Sequence, residues 1–222
     1  MINEDLITQA LRLLDYKRVK RFVYKASWAS SDVEHFLYLD TYGPPGHPGV
    51  NLTADFGFRN PQSEEFSVKC VKEYGGTLYQ VLRHNPLTDC KMRFSFANLH
   101  DPQKRWAILI PKISPIELAQ QFSQEVRDVV LPVVRAITTL RGLHERLLSD
   151  QAPCGWLMTN GAIRAANIID LSKRLSFDEN TIRASLAPHS RWIEKDLAKN
   201  AGISAQEYIE SVISAWNFDK LY

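Results

Sequence analysis

The sequence predicts an α+β fold in which a sheet is laid down first and helices follow, and three observations lead there. Two aromatic-rich segments, 35–42 and 51–58, flank the loop Gly43-Pro44-Pro45-Gly46-His47-Pro48-Gly49, which can be neither helix nor strand, so they read as a hairpin. Residues 4–16 place Leu6, Ala10, Leu13 and Leu14 at helical spacing ahead of it. From Ser114 onward the apolar period is helical and stays so.

Taken in order, Arg21 to Trp28 alternates Phe22, Tyr24 and Trp28 with polar residues and suits a strand. In 51–58, Leu52, Ala54, Phe56 and Phe58 alternate with Asn51, Thr53, Asp55 and Gly57, which defines a buried face. Matching faces sets the register: Leu39 with Ala54 and Leu37 with Phe56 on one side. Tyr38 then lies opposite Asp55, Asp40 opposite Thr53 and Tyr42 opposite Asn51 on the other. After a turn at Asn60-Pro61-Gln62, residues 65–73 alternate Phe66, Val68 and Cys70 with Ser67, Lys69 and Val71, and a further strand is expected. Segments 91–97 and 106–110 complete an antiparallel meander of about five to six strands.

Ser114, Pro115 and Glu117 form a capping box with proline at the first helical position, and Leu131-Pro132 should break that helix. Thr138 or Thr139 caps the next helix through Leu148, with Leu140, Leu143 and Leu147 inward. Residues 150–158 read as a linker, which divides the chain into an α+β domain, 1–149, and a helical C-terminal extension, 150–222. In the extension, Ser176 to Glu179 and Ser204 to Glu207 read as capping boxes, and Tyr208, Ile209, Val212, Ile213 and Trp216 form one apolar stripe.

Composition excludes several classes. The 27 basic and 25 acidic side chains leave a formal charge of +2, which offers no clustered field for nucleic acid. The densest basic run, Lys17-Arg18-Val19-Lys20-Arg21, reads as a solvated helix-to-strand junction. Met1 to Asp5 is acidic and lacks an apolar run, so a cytoplasmic location is expected and no membrane span is. Cys70, Cys90 and Cys154 are odd in number and widely spaced, fitting buried free thiols better than a disulfide framework or a zinc site.

No metal or cofactor is expected, because the six histidines are scattered and no phosphate loop or nucleophile elbow occurs. Asp196 to Ser204 followed by a helix has the order of a helix-turn-helix. Ala205 to Trp216, however, holds Glu207 and Glu210 with no Lys or Arg, which disfavours a DNA-reading role. The candidate binding surface is the polar face of the hairpin, Tyr38, Asp40, Tyr42, Asn51, Thr53 and Asp55, with His47 in the loop. Asp40 and Asp55 share that face, so a dispersed acid/base site there is the alternative.

Certain short motifs carry a resemblance. The Phe22-Val23-Tyr24 strand, Val50 to Gly57, Cys90 to Phe94, the Asn98-Leu99 pair, Trp106 and the helix ending in Leu131-Pro132 resemble a bacterial family catalogued as a domain of unknown function, over residues 1 to about 149. Such domains occur near toxin systems, which implies a non-enzymatic immunity or accessory protein that recognises a protein partner, such as a toxin.

Overall fold

The computed structural model describes residues 3–28, 30, 32–42, 51–81, 90–95, 108–109, 113–150 and 160–219, and the architecture is α+β. Packing divides the chain into two compact units, Met1–Phe58 with Arg93–Thr138, and Arg59–Met92 with Thr139–Tyr222. This is a different division from the linear one near residue 149, because residues 59–92 and 139–149 pack with the helical tail.

In the first unit, α1 (Glu4–Arg12) starts at Asn3, whose side chain accepts from the N–H groups of Asp5 and Leu6. It ends earlier than the spacing over 4–16 suggested, since Tyr16 already opens a strand. The sheet runs β1 (Tyr16–Lys20), β2 (Val23–Ala26), β3 (Glu34–Tyr42), β4 (Asn51–Arg59), β5 (Arg93–Ser95), with β6 (Ile108–Leu109) also on β4. The basic run expected as a junction is therefore part of β1, where Tyr16 pairs with Ala26 and Arg18 with Tyr24. A two-residue turn at Arg21-Phe22 joins β1 to β2 and puts Phe22 at φ +60°, a conformation few bulky residues adopt. Glu4 holds that turn: its carboxylate accepts from the Phe22 N–H at 2.9 Å and pairs with Arg18 at 3.2 Å.

One sheet face meets the helices. Tyr24 Oη lies 2.9 Å from Thr8 Oγ1 of α1, and Ile7, Leu11, Leu37, Leu39, Phe56 and Phe94 are buried in this unit. Against α1 packs α3 (Pro115–Glu125), opened by the expected Ser114–Glu117 capping box. The helix does not break at Leu131-Pro132. Pro132 has no N–H to offer, and the ladder shifts upstream into a π-helical stretch, Val126–Val130, where the Leu131 N–H reaches Val126 O. The chain then continues as α4 (Leu131–Val134).

The second unit is helical. Residues 65–73, expected as a strand, lie in α2 (Pro61–Tyr74). Asn60 and Pro61, expected as a turn, are its N-cap and first residue. Ser63, Phe66, Ser67, Cys70 and Val71 are buried, a spacing of three and four that the period-two reading missed. After it come a 3-10 turn (Gly76–Val81), α5 (Leu140–Leu148), α6 (Gly161–Arg174), α7 (Glu179–Leu186), α8 (Ser190–Leu197) and α9 (Ala205–Asp219). Thr139 caps α5 and the Ser204–Glu207 box caps α9 as expected. For α7 the cap is Asp178, not Ser176, which sits at φ +64° in the preceding turn.

Helix α6 forms the axis of this unit, buried on all sides from Gly161 to Ser172, with α2, α5, α8 and α9 packed on it. Gly161 is required there, since a Cβ would lie 2.7 Å from Trp192 O of α8. Gly76 is held more tightly: it has φ +57°, and a Cβ would meet Asn200 O at 2.0 Å. Gly202 shares the positive φ, +67°, but faces open space. Gly76→Ala should therefore lose roughly 2–4 kcal/mol in urea unfolding, from overpacking added to left-handed strain. Gly202→Ala should lose only the strain, about 1–2 kcal/mol. Equal losses would show that the close approach at Gly76 is immaterial.

Candidate functional site

By alternation, Glu34, Phe36 and Tyr38 of β3 share a face. Arg93 of β5 pairs with Gly57 of β4, and its guanidinium lies 3.6 Å from the Tyr38 ring centroid, so it crosses β4 where no side chain stands in the way. That contact puts Tyr38, Gly57 and Arg93 on one face, and with them Asp55, which pairs with Ser95. Lys25, opposite Phe36, stands 5.8 Å over the Phe36 ring and hydrogen-bonds Glu34. The Phe36 and Tyr38 rings stack at 6.0 Å. A ladder of cation, ring, ring and cation thus crosses the sheet.

The nominated residues are placed as follows. Tyr38 is 8% exposed and Asp55 half-buried, so the face is less open than its polar pattern suggested. Phe36, which shares the face, is buried as well, with Lys25 and Arg93 laid over the two rings. Asp40, Tyr42, Asn51 and Thr53 lie in β3 and β4, but their side chains, and the whole of His47, are outside the described residues. The expected register of Tyr38 with Asp55 also runs into residues outside that set, although β3 and β4 are neighbours. Of Asp40, Asp55 and His47, the expected acid/base alternative, only the Asp55 side chain is among the described residues.

The second unit contains a centre that sequence reasoning missed. Asp170 of α6, 1% exposed, accepts at Oδ1 from Trp216 Nε1 of α9 at 2.9 Å. Its Oδ2 accepts from Arg174 Nε at 2.6 Å and from the Ser63 hydroxyl of α2. Arg174 Nη1 in turn donates to Gln62 Oε1 at 2.6 Å. Gln62, Glu65, Phe66, Lys69, Asp170, Arg174 and Trp216 line an open cleft of about 410 Å³. The only sequence signal was the Asn60-Pro61 helix start, which would have placed Ser63 on an inward face. His144 and Ser172 form another buried pair, Nε2 to Oγ 2.7 Å, with Phe177 edge-on at 5.2 Å.

The helix order α8, turn, α9 is present, but Gln206, Glu207, Ser214 and Asn217 form the exposed side of α9. Glu210, half-buried, is clamped by Arg183 at 2.7 and 2.8 Å. That surface repels phosphate. Among the described residues no group of three or more His, Cys, Asp or Glu could hold a metal ion. Cys70 and Cys90 are buried free thiols, while Cys154 lies outside the described residues. No helix among the described residues is long and apolar enough to cross a membrane.

His35, in the first unit, gives a pH signature. Its Nε2 lies 2.7 Å from Ile137 O and its ring packs against Trp28, tilted by 35° with centroids 4.9 Å apart; burial lowers its pKa from 6.5 to about 4, against the pull of the carbonyl. The unfolded chain therefore takes up this proton first, and stability present above pH 6.5 falls as the pH drops through the window down to about 4. The loss should approach about 3 kcal/mol. Burial lowers His144 and His189 as well, which acts in the same direction. Urea midpoints from pH 7.5 to 4 should fall, and His35→Gln should flatten part of the slope; an unchanged slope would assign it elsewhere. Separately, Asp170→Ala should cost about 3–5 kcal/mol by stranding Arg174, the buried Ser63 hydroxyl and the half-buried Trp216 indole N–H. Asp170→Asn, which keeps an acceptor for Trp216, should cost less; the reverse order would show that the charge is dispensable.

No family model, curated protein or solved structure matches this chain, so the short motifs of residues 1–149 stand without a matched relative.

Proposed function

We propose that the protein acts by non-covalent recognition of a protein partner, through the outer face of the first unit's sheet. The observation that carries this reading is Arg93 held over Tyr38 at 3.6 Å, beside half-buried Asp55. A guanidinium fixed on an aromatic ring has already lost the rotamer freedom that binding would otherwise remove. Arginine and tyrosine are also the side chains that dominate recognition interfaces.

A non-enzymatic role is supported by how the described acid–base groups are spent. Asp170 accepts three donors, and the His144–Ser172 pair is sealed at 3% and 0% exposure. Neither arrangement leaves an atom directed at a substrate. The resemblance of residues 1–149 would make the partner a bacterial toxin, and the chain an immunity or accessory protein.

The wild-type protein, immobilised and exposed to extract from its own cells, should retain a partner that then binds when purified. Arg93→Ala and Asp55→Arg should each weaken that purified interaction about tenfold or more, with far-ultraviolet circular dichroism unchanged. Full affinity in both variants would remove the sheet face as the binding surface.

A further inference from the structure

We propose that β1 is a docking edge for an acidic extended segment of another protein, which adds to the sheet as a strand beyond it. Lys17 shares the sheet face of Arg93 and Asp55, but β1 lies at the far edge, separated from β4 and β5 by β2 and β3. β1 ends the strand order, and among the described residues only β2 pairs with it. After Tyr16 its four residues, Lys17, Arg18, Val19 and Lys20, are all exposed. An edge strand carries main-chain donors and acceptors on its outer side, which an added strand satisfies.

Charge identifies the occupant. Arg18 is matched by Glu4, but among the described residues no hydrogen bond or ion pair engages the ammonium groups of Lys17 and Lys20. Lys17 stands directly opposite Lys25, whose own charge is taken by Glu34. Like charges facing one another across a ladder are unfavourable, and this pair does nothing for the fold. Carboxylates on an incoming strand would relieve it. Val19, 45% exposed, is the extra residue of a bulge between Arg18 and Lys20, and it offers an apolar contact among the cations.

Lysines and a bulge also guard edges against self-association. The two roles agree here. Two copies of β1 brought edge to edge would set cations against cations, whereas an acidic strand is admitted by the same charges. The bulge twists the strand at Val19, so the added ladder should be short and centred on Tyr16 to Arg18.

The test uses the full chain labelled with nitrogen-15 and a capped hexapeptide alternating glutamate and valine. Saturable shifts of the Tyr16 to Lys20 amides are expected, with affinity falling as salt is raised. The double variant Lys17→Glu, Lys20→Glu should bind about tenfold more weakly, the loss of two exposed charge pairs. The same peptide N-methylated at alternate residues, which keeps the charge but cannot complete the ladder, should not bind. No saturable shift in β1, equal binding of the N-methylated peptide, or equal binding of a lysine–valine hexapeptide would each overturn the proposal. Such a failure leaves the Arg93 and Asp55 experiment untouched, because neither residue lies on this edge.

Discussion

A helix with no side open to water must find an internal partner for every polar side chain it carries, and the second unit is organised by how α6 meets that demand. Arg164 donates to the carbonyls of Leu147 and Ser149, closing the end of α5. Ser172 meets His144 of the same helix, and Asp170 ties α2 and α9 together through Ser63 and Trp216. At its N-terminus the Gly161 N–H donates to Asp196 of α8. Together these contacts join α6 to α5, twice, and to α2, α9 and α8. Hydrophobic burial would hold these helices together in many rotations, and the polar contacts select one of them.

The first unit uses the same rule on a smaller scale. Glu4 sits where a helix start, a strained turn and a strand side chain converge, and it satisfies the Phe22 N–H while neutralising Arg18. Thr8 and Tyr24 join helix to sheet in the same way. The rule is incompletely met at one place. Trp28 Nε1 and His35 Nδ1, in rings that pack against each other, find no hydrogen-bond partner among the described residues. A buried donor and a buried acceptor left so close together make this the part of the core most sensitive to a change of proton.

The same rule explains what was legible in the sequence. Local chemistry was: the Ser114 and Ser204 capping boxes and the Thr139 cap involve residues three apart, and all form as read. The α+β class was legible from the change of period. Residues 65–73 misled because Phe66, Val68 and Cys70 fit an alternation, and only the helix start at Asn60-Pro61 argued otherwise. β1 was hidden for the opposite reason: an edge strand with one buried residue in five shows no apolar alternation to detect. Asp170 could not be found at all, since its partners Ser63 and Trp216 lie 107 and 46 residues away. The Tyr38–Arg93 contact, across an intervening strand, is equally invisible to spacing.

Charge is used differently in the two units. Around the 410 Å³ cleft, Asp170, Arg174 and Gln62 answer one another, so that their removal would be felt mainly as lost stability. Along β1 and the adjoining face the balance differs. Lys17 faces Lys25 across a ladder, a like-charge pair that does not favour the strand pairing, and Arg93 lies over the Tyr38 ring. Natural sequences keep local choices consistent with the fold, and departures that bring no structural return concentrate where something outside the chain supplies it. That criterion supports the proposal that recognition belongs to the first unit's sheet, while the polar centre of the second unit holds its helices in place.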